Sequence, residues 1–126
     1  MKTPLGFAPA LPLSALEVGQ GRSCRVGEHR LALFRTTDGV HALDDRCPHQ
    51  GSSLGGGHFD GHCVTCPSHG WRFDVRTGRA VSTIGNATAC YEVRIVDGMV
   101  CVRVESIGGM LRSAWARWRS AWRRER

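Results

Sequence analysis

The stretch CPHQGSS, residues 47–53, places a cysteine and a histidine two positions apart within a glycine-rich segment of irregular sequence. A second stretch, CPSHG at residues 66–70, places a cysteine and a histidine three positions apart. Thiolate and imidazole groups are ligands that zinc, iron and copper accept. The candidate metal ligands of the chain are therefore Cys47, His49, Cys66 and His69.

Three occupants fit two thiolates and two imidazoles: a structural zinc ion, a mononuclear iron or copper ion, and a [2Fe–2S] cluster. In the cluster, two cysteines would bind one iron and two histidines the other. The spacing favours the cluster, because a single tetrahedral zinc is more usually held by C-x₂-C and H-x₃₋₅-H pairs. Each stretch also supplies one cysteine and one histidine, so two adjacent loops could serve two irons.

The sequence around the two stretches predicts an all-β fold. Residues 31–43 and 91–104 each read as a hairpin, with Asp-Gly turns at 38–39 and 97–98. Apolar side chains alternate along the second hairpin, which gives each strand one face for a core. The long, glycine-rich insert between the hairpins, residues 44–90, contains both Cys/His stretches. Inserts of this kind are usually functional.

The length and composition indicate one domain with a separate tail. The chain has 126 residues, enough for one compact domain. Pro4, Pro9 and Pro12 interrupt the apolar N-terminal stretch, so we expect no signal peptide and a reducing, cytoplasmic location. The remaining cysteines are interpreted as core thiols; they lie at positions 24, 63, 90 and 101.

The basic character of the chain belongs to its C-terminal end. Residues 107–126 contain six arginines and one glutamate, which accounts for +5 of the net charge of +6. A nucleic-acid-binding core is therefore not indicated. The apolar side chains of this tail recur at helical spacing, which predicts an amphipathic helix that docks on its own domain, a partner or a membrane surface; they are Leu111, Trp115, Trp118 and Trp122.

The four candidate ligands, continued by HGWRFD at 69–74, resemble the Rieske iron–sulfur family, from about residue 13 to 105. The resemblance implies a Rieske-type antiparallel β-sandwich over residues 1–106, with a small loop-rich subdomain that binds one [2Fe–2S] cluster per chain. It implies that Cys47 and Cys66 bind the buried iron, and that His49 and His69 bind the outer one.

Four positions depart from the high-potential members of this family. Those members join the two loops by a disulfide, where this chain has Ser52 and Ser68. They also place a serine and a tyrosine, both hydrogen-bond donors to the cluster, where this chain has Trp71 and Phe73. We therefore expect a reduction potential near the low end of the Rieske range, about −150 mV.

The resemblance implies electron transfer, and the sequence has no further catalytic motif. We expect a soluble ferredoxin that makes transient contacts with a flavin-dependent reductase and a terminal oxygenase, and that is not an enzyme alone. The first alternative is the small subunit of an assimilatory nitrite reductase, bound to its large subunit. The second is a zinc-stabilised interaction module.

Overall fold

The fold was examined in a computed structural model, which describes residues 6–47, 52–68, 70–82 and 86–104. Within these ranges the regular secondary structure is β-strand, apart from one short 3-10 turn at Leu13–Ala15. The strands, numbered in chain order, are β1 Phe7–Pro12, β2 Gly21–Val26, β3 His29–Thr36, β4 Gly39–Asp44, β5 His58–Phe59, β6 Cys63–Thr65, β7 Arg72–Asp74, β8 Cys90–Tyr91, β9 Val93–Val96 and β10 Met99–Arg103.

All strand pairs are antiparallel, and they form three sheets. Sheet A has the order β1-β10-β9, sheet B has the order β2-β3-β4-β8, and the small sheet has the order β5-β6-β7. Sheets A and B enclose the first core, in which Leu31 and Leu33 of β3 meet Val100 and Val102 of β10. The predicted all-β sandwich is therefore confirmed.

The opposite face of sheet B carries a second core. Ala32 and Phe34 alternate with the β3 residues of the first core, and they pack with Val64 and Phe73 of the small sheet. Because strand side chains alternate between faces, one strand serves both cores. The molecule is thus layered, with sheet A, sheet B and the cysteine-bearing insert in that order.

Both predicted hairpins are present. Val96 pairs with Met99 across Asp97 and Gly98, which have φ angles of 51° and 79°. Positive φ at both turn residues is the requirement of a type I′ turn, and Asp-Gly meets it readily. In the first hairpin Thr36 pairs with Gly39, so the turn residues are Thr37 and Asp38.

Several elements differ from the expectations. The insert, expected to be irregular, contains the small sheet. The sandwich also contains β1, a strand that the sequence did not predict. Pro9 of β1 lies at a register shift on this edge strand, where a missing N–H is tolerated. Ile95 on the edge strand β9 is 43% exposed, and Cys90, predicted to be buried, is exposed because Tyr91 takes the inward position of β8.

The predicted tail helix lies outside the described residues. No helix within the described ranges is long and apolar enough to cross a membrane.

Candidate iron–sulfur site

Each Cys/His stretch is a loop closed by the backbone of its own cysteine. The Cys47 N–H donates to the Ser52 carbonyl at 2.8 Å, and the Cys66 N–H donates to the Trp71 carbonyl at 2.7 Å. The Gly70 N–H also donates to the Cys66 carbonyl at 3.0 Å. Each closed segment therefore begins at a cysteine and contains one of the two candidate histidines in its sequence.

The two loops meet at their serines. The Ser52 and Ser68 hydroxyls are in hydrogen-bonding contact across sixteen positions of sequence. Gly57, between the loops, lies so close to the Thr65 carbonyl that an added Cβ would clash with it. Close backbone approach of this kind requires glycine, and it keeps the segment after the first loop against β6, which leads into the second.

Cys47 and Cys66 are each 1% exposed and belong to the same buried cluster. Their neighbours in this cluster are apolar, including Leu54, Phe73 and Val75. Two thiols from adjacent loops, facing a dry apolar wall, suit a group that takes thiolate ligands and is shielded from water on one side. Cys47 and Cys66, the two candidate ligands that the structure describes, therefore fit an iron–sulfur cluster. His49 and His69 lie outside the described residues.

Asp45 anchors the start of the first loop. Its carboxylate, which has no exposed surface, accepts hydrogen bonds from the Gly55 N–H at 2.8 Å and from the Ser53 hydroxyl at 3.0 Å. It also accepts from the Ser23 hydroxyl of β2 at 3.1 Å and pairs with Arg30 of β3 at 3.3 Å. One side chain thus ties the first loop to sheet B, two residues before Cys47.

A second aspartate organises the approach to the other loop. Asp60 accepts from the backbone N–H groups of Cys63 and His62 at 2.7 and 2.9 Å. These hydrogen bonds lower the pKa of Asp60. Cys63, which follows in β6, is 7% exposed, and burial raises the pKa of its thiol, with a further contribution from the Asp60 charge. Its predicted role as a core thiol is confirmed.

The other histidines of the chain lie at or near the surface. His58 and His62 are exposed, while His29 and His41 are partly exposed. Asp74 braces a turn, because it accepts from the Arg76 N–H at 2.9 Å through its carboxylate and from the Gly78 N–H at 2.8 Å through its carbonyl.

Sequence reasoning missed Asp45. Two adjacent aspartates, Asp44 and Asp45, precede the first stretch, and nothing in their sequence distinguishes the partly buried Asp44 from the fully buried anchor Asp45. The one feature of the sequence that could have indicated a buried aspartate is the pair of nearby hydroxyls of Ser52 and Ser53, because a buried carboxylate requires hydrogen-bond donors.

Comparison with known proteins shows the family and the fold of the chain. The model of the Rieske [2Fe-2S] domain matches residues 7–96. The anthranilate 1,2-dioxygenase ferredoxin subunit of Burkholderia cepacia is 38% identical over 79 residues, which cover 62% of this chain and 73% of that protein. The cholesterol 7-desaturase of Xenopus laevis is also 38% identical, over 78 residues, but these make up 60% of this chain and only 17% of the desaturase.

Solved structures share the fold. A chain from the complex of reduced oxygenase and oxidized ferredoxin in carbazole 1,9a-dioxygenase superposes with a TM-score of 0.73 at 32% identity, and the match covers 83% of this chain and 99% of that one. A nitrite reductase small-subunit structure superposes with a TM-score of 0.67 over 76% of this chain and 96% of that one, and at 22% identity it supports the fold alone. Because the family model matches most of the length of this chain, the chain belongs to the Rieske [2Fe-2S] domain family.

Proposed function

We propose that the protein is a one-electron carrier between a flavin-dependent reductase and a terminal oxygenase, and that it is not catalytic alone. The observation that carries this proposal is how much of a relative this chain covers. The superposition includes 99% of a chain from the oxygenase–ferredoxin complex and 83% of this chain. A ferredoxin subunit of a dioxygenase is also covered over 73% of its length. The described residues consist of the sandwich and the cysteine-bearing insert, which is the organisation of a carrier domain.

We assign Cys47 and Cys66 to the inner iron, and His49 and His69 to the outer iron. When bound, the cluster supplies reversible one-electron chemistry, and its neutral imidazole ligands raise the potential above that of an all-cysteine cluster. The two cysteines lie in the apolar cluster of Leu54 and Phe73, so the inner side is closed to water.

The chain itself holds the two cysteine ligands in a fixed arrangement. The backbone hydrogen bonds of Cys47 and Cys66 set each loop, and the Ser52–Ser68 contact sets one loop against the other. Asp45 fixes the first loop on sheet B. A preset ligand frame reduces the rearrangement that accompanies a change of charge, which favours rapid electron transfer.

Metal analysis and reduction test the cluster assignment. The purified protein should contain equimolar iron and acid-labile sulfide, and it should give a rhombic EPR signal on reduction. Zinc without sulfide would instead support an interaction module. Cys47→Ser and Cys66→Ser should abolish the EPR signal, whereas Cys63→Ser, the matched buried thiol of β6, should retain it.

Partner assays test the carrier role. The protein should accept electrons from a flavin reductase and support turnover of an oxygenase, with weak and short-lived complexes typical of redox encounters. Stable co-purification with a nitrite reductase large subunit would contradict the shuttle and favour the small-subunit alternative, whose fold is similar. We further propose a cytoplasmic location and a division of the chain at residues 106 and 107 between the Rieske domain and the tail.

A further inference from the structure

The outer face of sheet A, turned away from the sandwich core, is buried at its centre. Phe7 of β1 is 7% exposed and Cys101 of β10 is 0% exposed, and both belong to a small cluster separate from the two main cores. Val96 and Met99 pack against this pair. Side chains on an outward sheet face reach such burial when another layer of structure covers them.

Two arginines flank the apolar centre of this face. The guanidinium carbons of Arg94 and Arg103 each lie 5.5 Å from the centroid of the Phe7 ring. Glu92 pairs with Arg103 at 3.1 Å and with Arg94 at 3.6 Å, so it holds both cations in place. The face therefore offers an apolar patch bordered by cations, a surface that suits tryptophan rings.

The chain leaves this same sheet as the tail. β10, the central strand of sheet A, ends at Arg103, and residues 105–126 follow directly beyond the described Val104. Gly108 and Gly109 allow the chain to reverse its direction. As a helix, the twelve residues from Leu111 to Trp122 would span roughly 18 Å. That length matches β10, whose five residues span roughly 17 Å.

We propose that residues 107–126 form a helix that covers the outer face of sheet A, with Leu111, Trp115, Trp118 and Trp122 against Phe7, Met99 and Cys101. The tryptophan rings stack on Arg94 and Arg103, and the arginines of the tail point to solvent. A short tether keeps the tail at high effective concentration near this face, which favours it over a partner or a membrane surface. The tail then forms the outermost layer, on the side of the sandwich opposite the cluster loops.

Site-resolved alkylation of the full-length, cluster-loaded protein tests this docking. Iodoacetamide labelling, followed by peptide mass spectrometry, reports the reaction rate of each thiol. In the variant Trp115→Gln/Trp118→Gln, we expect the Cys101 rate to rise at least about tenfold, because local opening governs reagent access. In the matched variant Arg117→Gln/Arg124→Gln, altered on the opposite side of the helix, the Cys101 rate should remain at the wild-type value.

Cys63, buried in the small sheet, is the internal control for folding, and its rate should be the same in all three proteins. An unchanged Cys101 rate in the tryptophan variant would overturn the proposal. Binding of the wild-type protein to vesicles of phosphatidylcholine and phosphatidylserine, combined with that result, would assign the tail to a membrane surface.

If the tryptophan variant unfolds, so that the Cys63 rate also rises, a crosslink decides the question. Benzoylphenylalanine at position 118 should capture peptides from residues 7–12 or 99–103 of the same molecule. Capture of the small sheet, or of a second molecule, would overturn the proposal. Neither measurement depends on electron transfer, so failure of the tail proposal leaves the carrier assignment untouched.

Discussion

Asp45 has no exposed side-chain surface, although its charged partner Arg30 is 56% exposed. Its other partners, Ser23, Ser53 and Gly55, are neutral donors that hold the first cluster loop on sheet B. The structural value of Asp45 therefore lies in the hydrogen bonds that its carboxylate accepts from neutral donors, because an ion pair with a solvent-exposed arginine contributes little.

Removing each partner in turn separates these two contributions. Asp45→Ala should lower the free energy of unfolding by about 3 kcal/mol, since several donors lose an ionised acceptor in a buried site. Arg30→Ala should cost about 1 kcal/mol or less. Urea unfolding followed by tryptophan fluorescence under anaerobic conditions measures both. Equal losses would show that the ion pair, and not the loop anchor, dominates.

Tyr91, the one tyrosine of the chain, gives a direct test of burial in sheet B. Burial, and to a smaller extent the Asp44 charge, raises its pKa to about 12 from 10. The stability contributed by the neutral phenol is therefore complete below pH 10 and is lost as the pH rises through 12. Tyrosinate absorbance should titrate near pH 12 in the folded protein and near 10 in urea. Tyr91→Phe should remove the signal and that loss of stability.

Phe73 is fully buried in the same apolar core as Cys47 and Cys66, and its ring has no hydroxyl group that could donate a hydrogen bond. Phe73→Tyr should raise the midpoint potential by about 60 mV, which corresponds to a tenfold stabilisation of the reduced state in a one-electron couple. The wild-type midpoint should lie near −150 mV. Redox titration checks both values. Phe34→Tyr, in the same core but packed against Phe59 at 5.0 Å, is the matched control and should leave the midpoint unchanged.

At the scale of elements, the two hairpins could be predicted because strand-forming residues flank short polar turns. The second turn is Asp97-Gly98 as expected, whereas the first lies at Thr37-Asp38, one residue before the expected Asp38-Gly39. The small sheet could not be predicted, since its strands have two or three residues, too few for a period to be recognised. The two Cys/His loops were proposed as the ligand loops from ligand chemistry and family resemblance rather than from local structure. Their contact through Ser52 and Ser68 depends on tertiary packing, although the resemblance pointed to those positions.

The serine contact predicts that the loops can be joined covalently. The double variant Ser52→Cys/Ser68→Cys should form a disulfide, which would stabilise the folded protein by about 3 kcal/mol. Thiol counting on the denatured protein should find the six native cysteines alone under oxidising conditions. Each single variant should show seven thiols, and thermal unfolding should distinguish the crosslinked protein. Eight free thiols in the double variant would show that the loops do not approach at these positions.

At the scale of the whole molecule, sheet B separates two cores, and only the second contains Cys47 and Cys66, the proposed ligands of the inner iron. Local stability should follow this division. Because ligand binding energy stabilises the fold that holds the ligand, the second core depends on the cluster more than the first.

Cluster removal should therefore act unevenly. In the apo-protein, backbone amides of β6 and β7 should lose hydrogen-exchange protection, while those of β3 and β10 should keep most of theirs. Peptide-resolved exchange of the apo- and holo-proteins measures the difference. A uniform loss across all strands would indicate one cooperative unit and contradict the division.

The insert enters and leaves the sandwich through neighbouring strands. Leu43 of β4 pairs with Cys90 of β8, and the Asp44 N–H donates to the Ala89 carbonyl at 2.9 Å. The two ends of the metal-binding segment thus lie about 5 Å apart, the spacing of paired strand residues. A tight turn could therefore join β4 to β8 directly if the segment were removed. The shortened sandwich would then expose Ala32 and Phe34 of β3, so the inserted segment also completes the packing of the sheet that carries it.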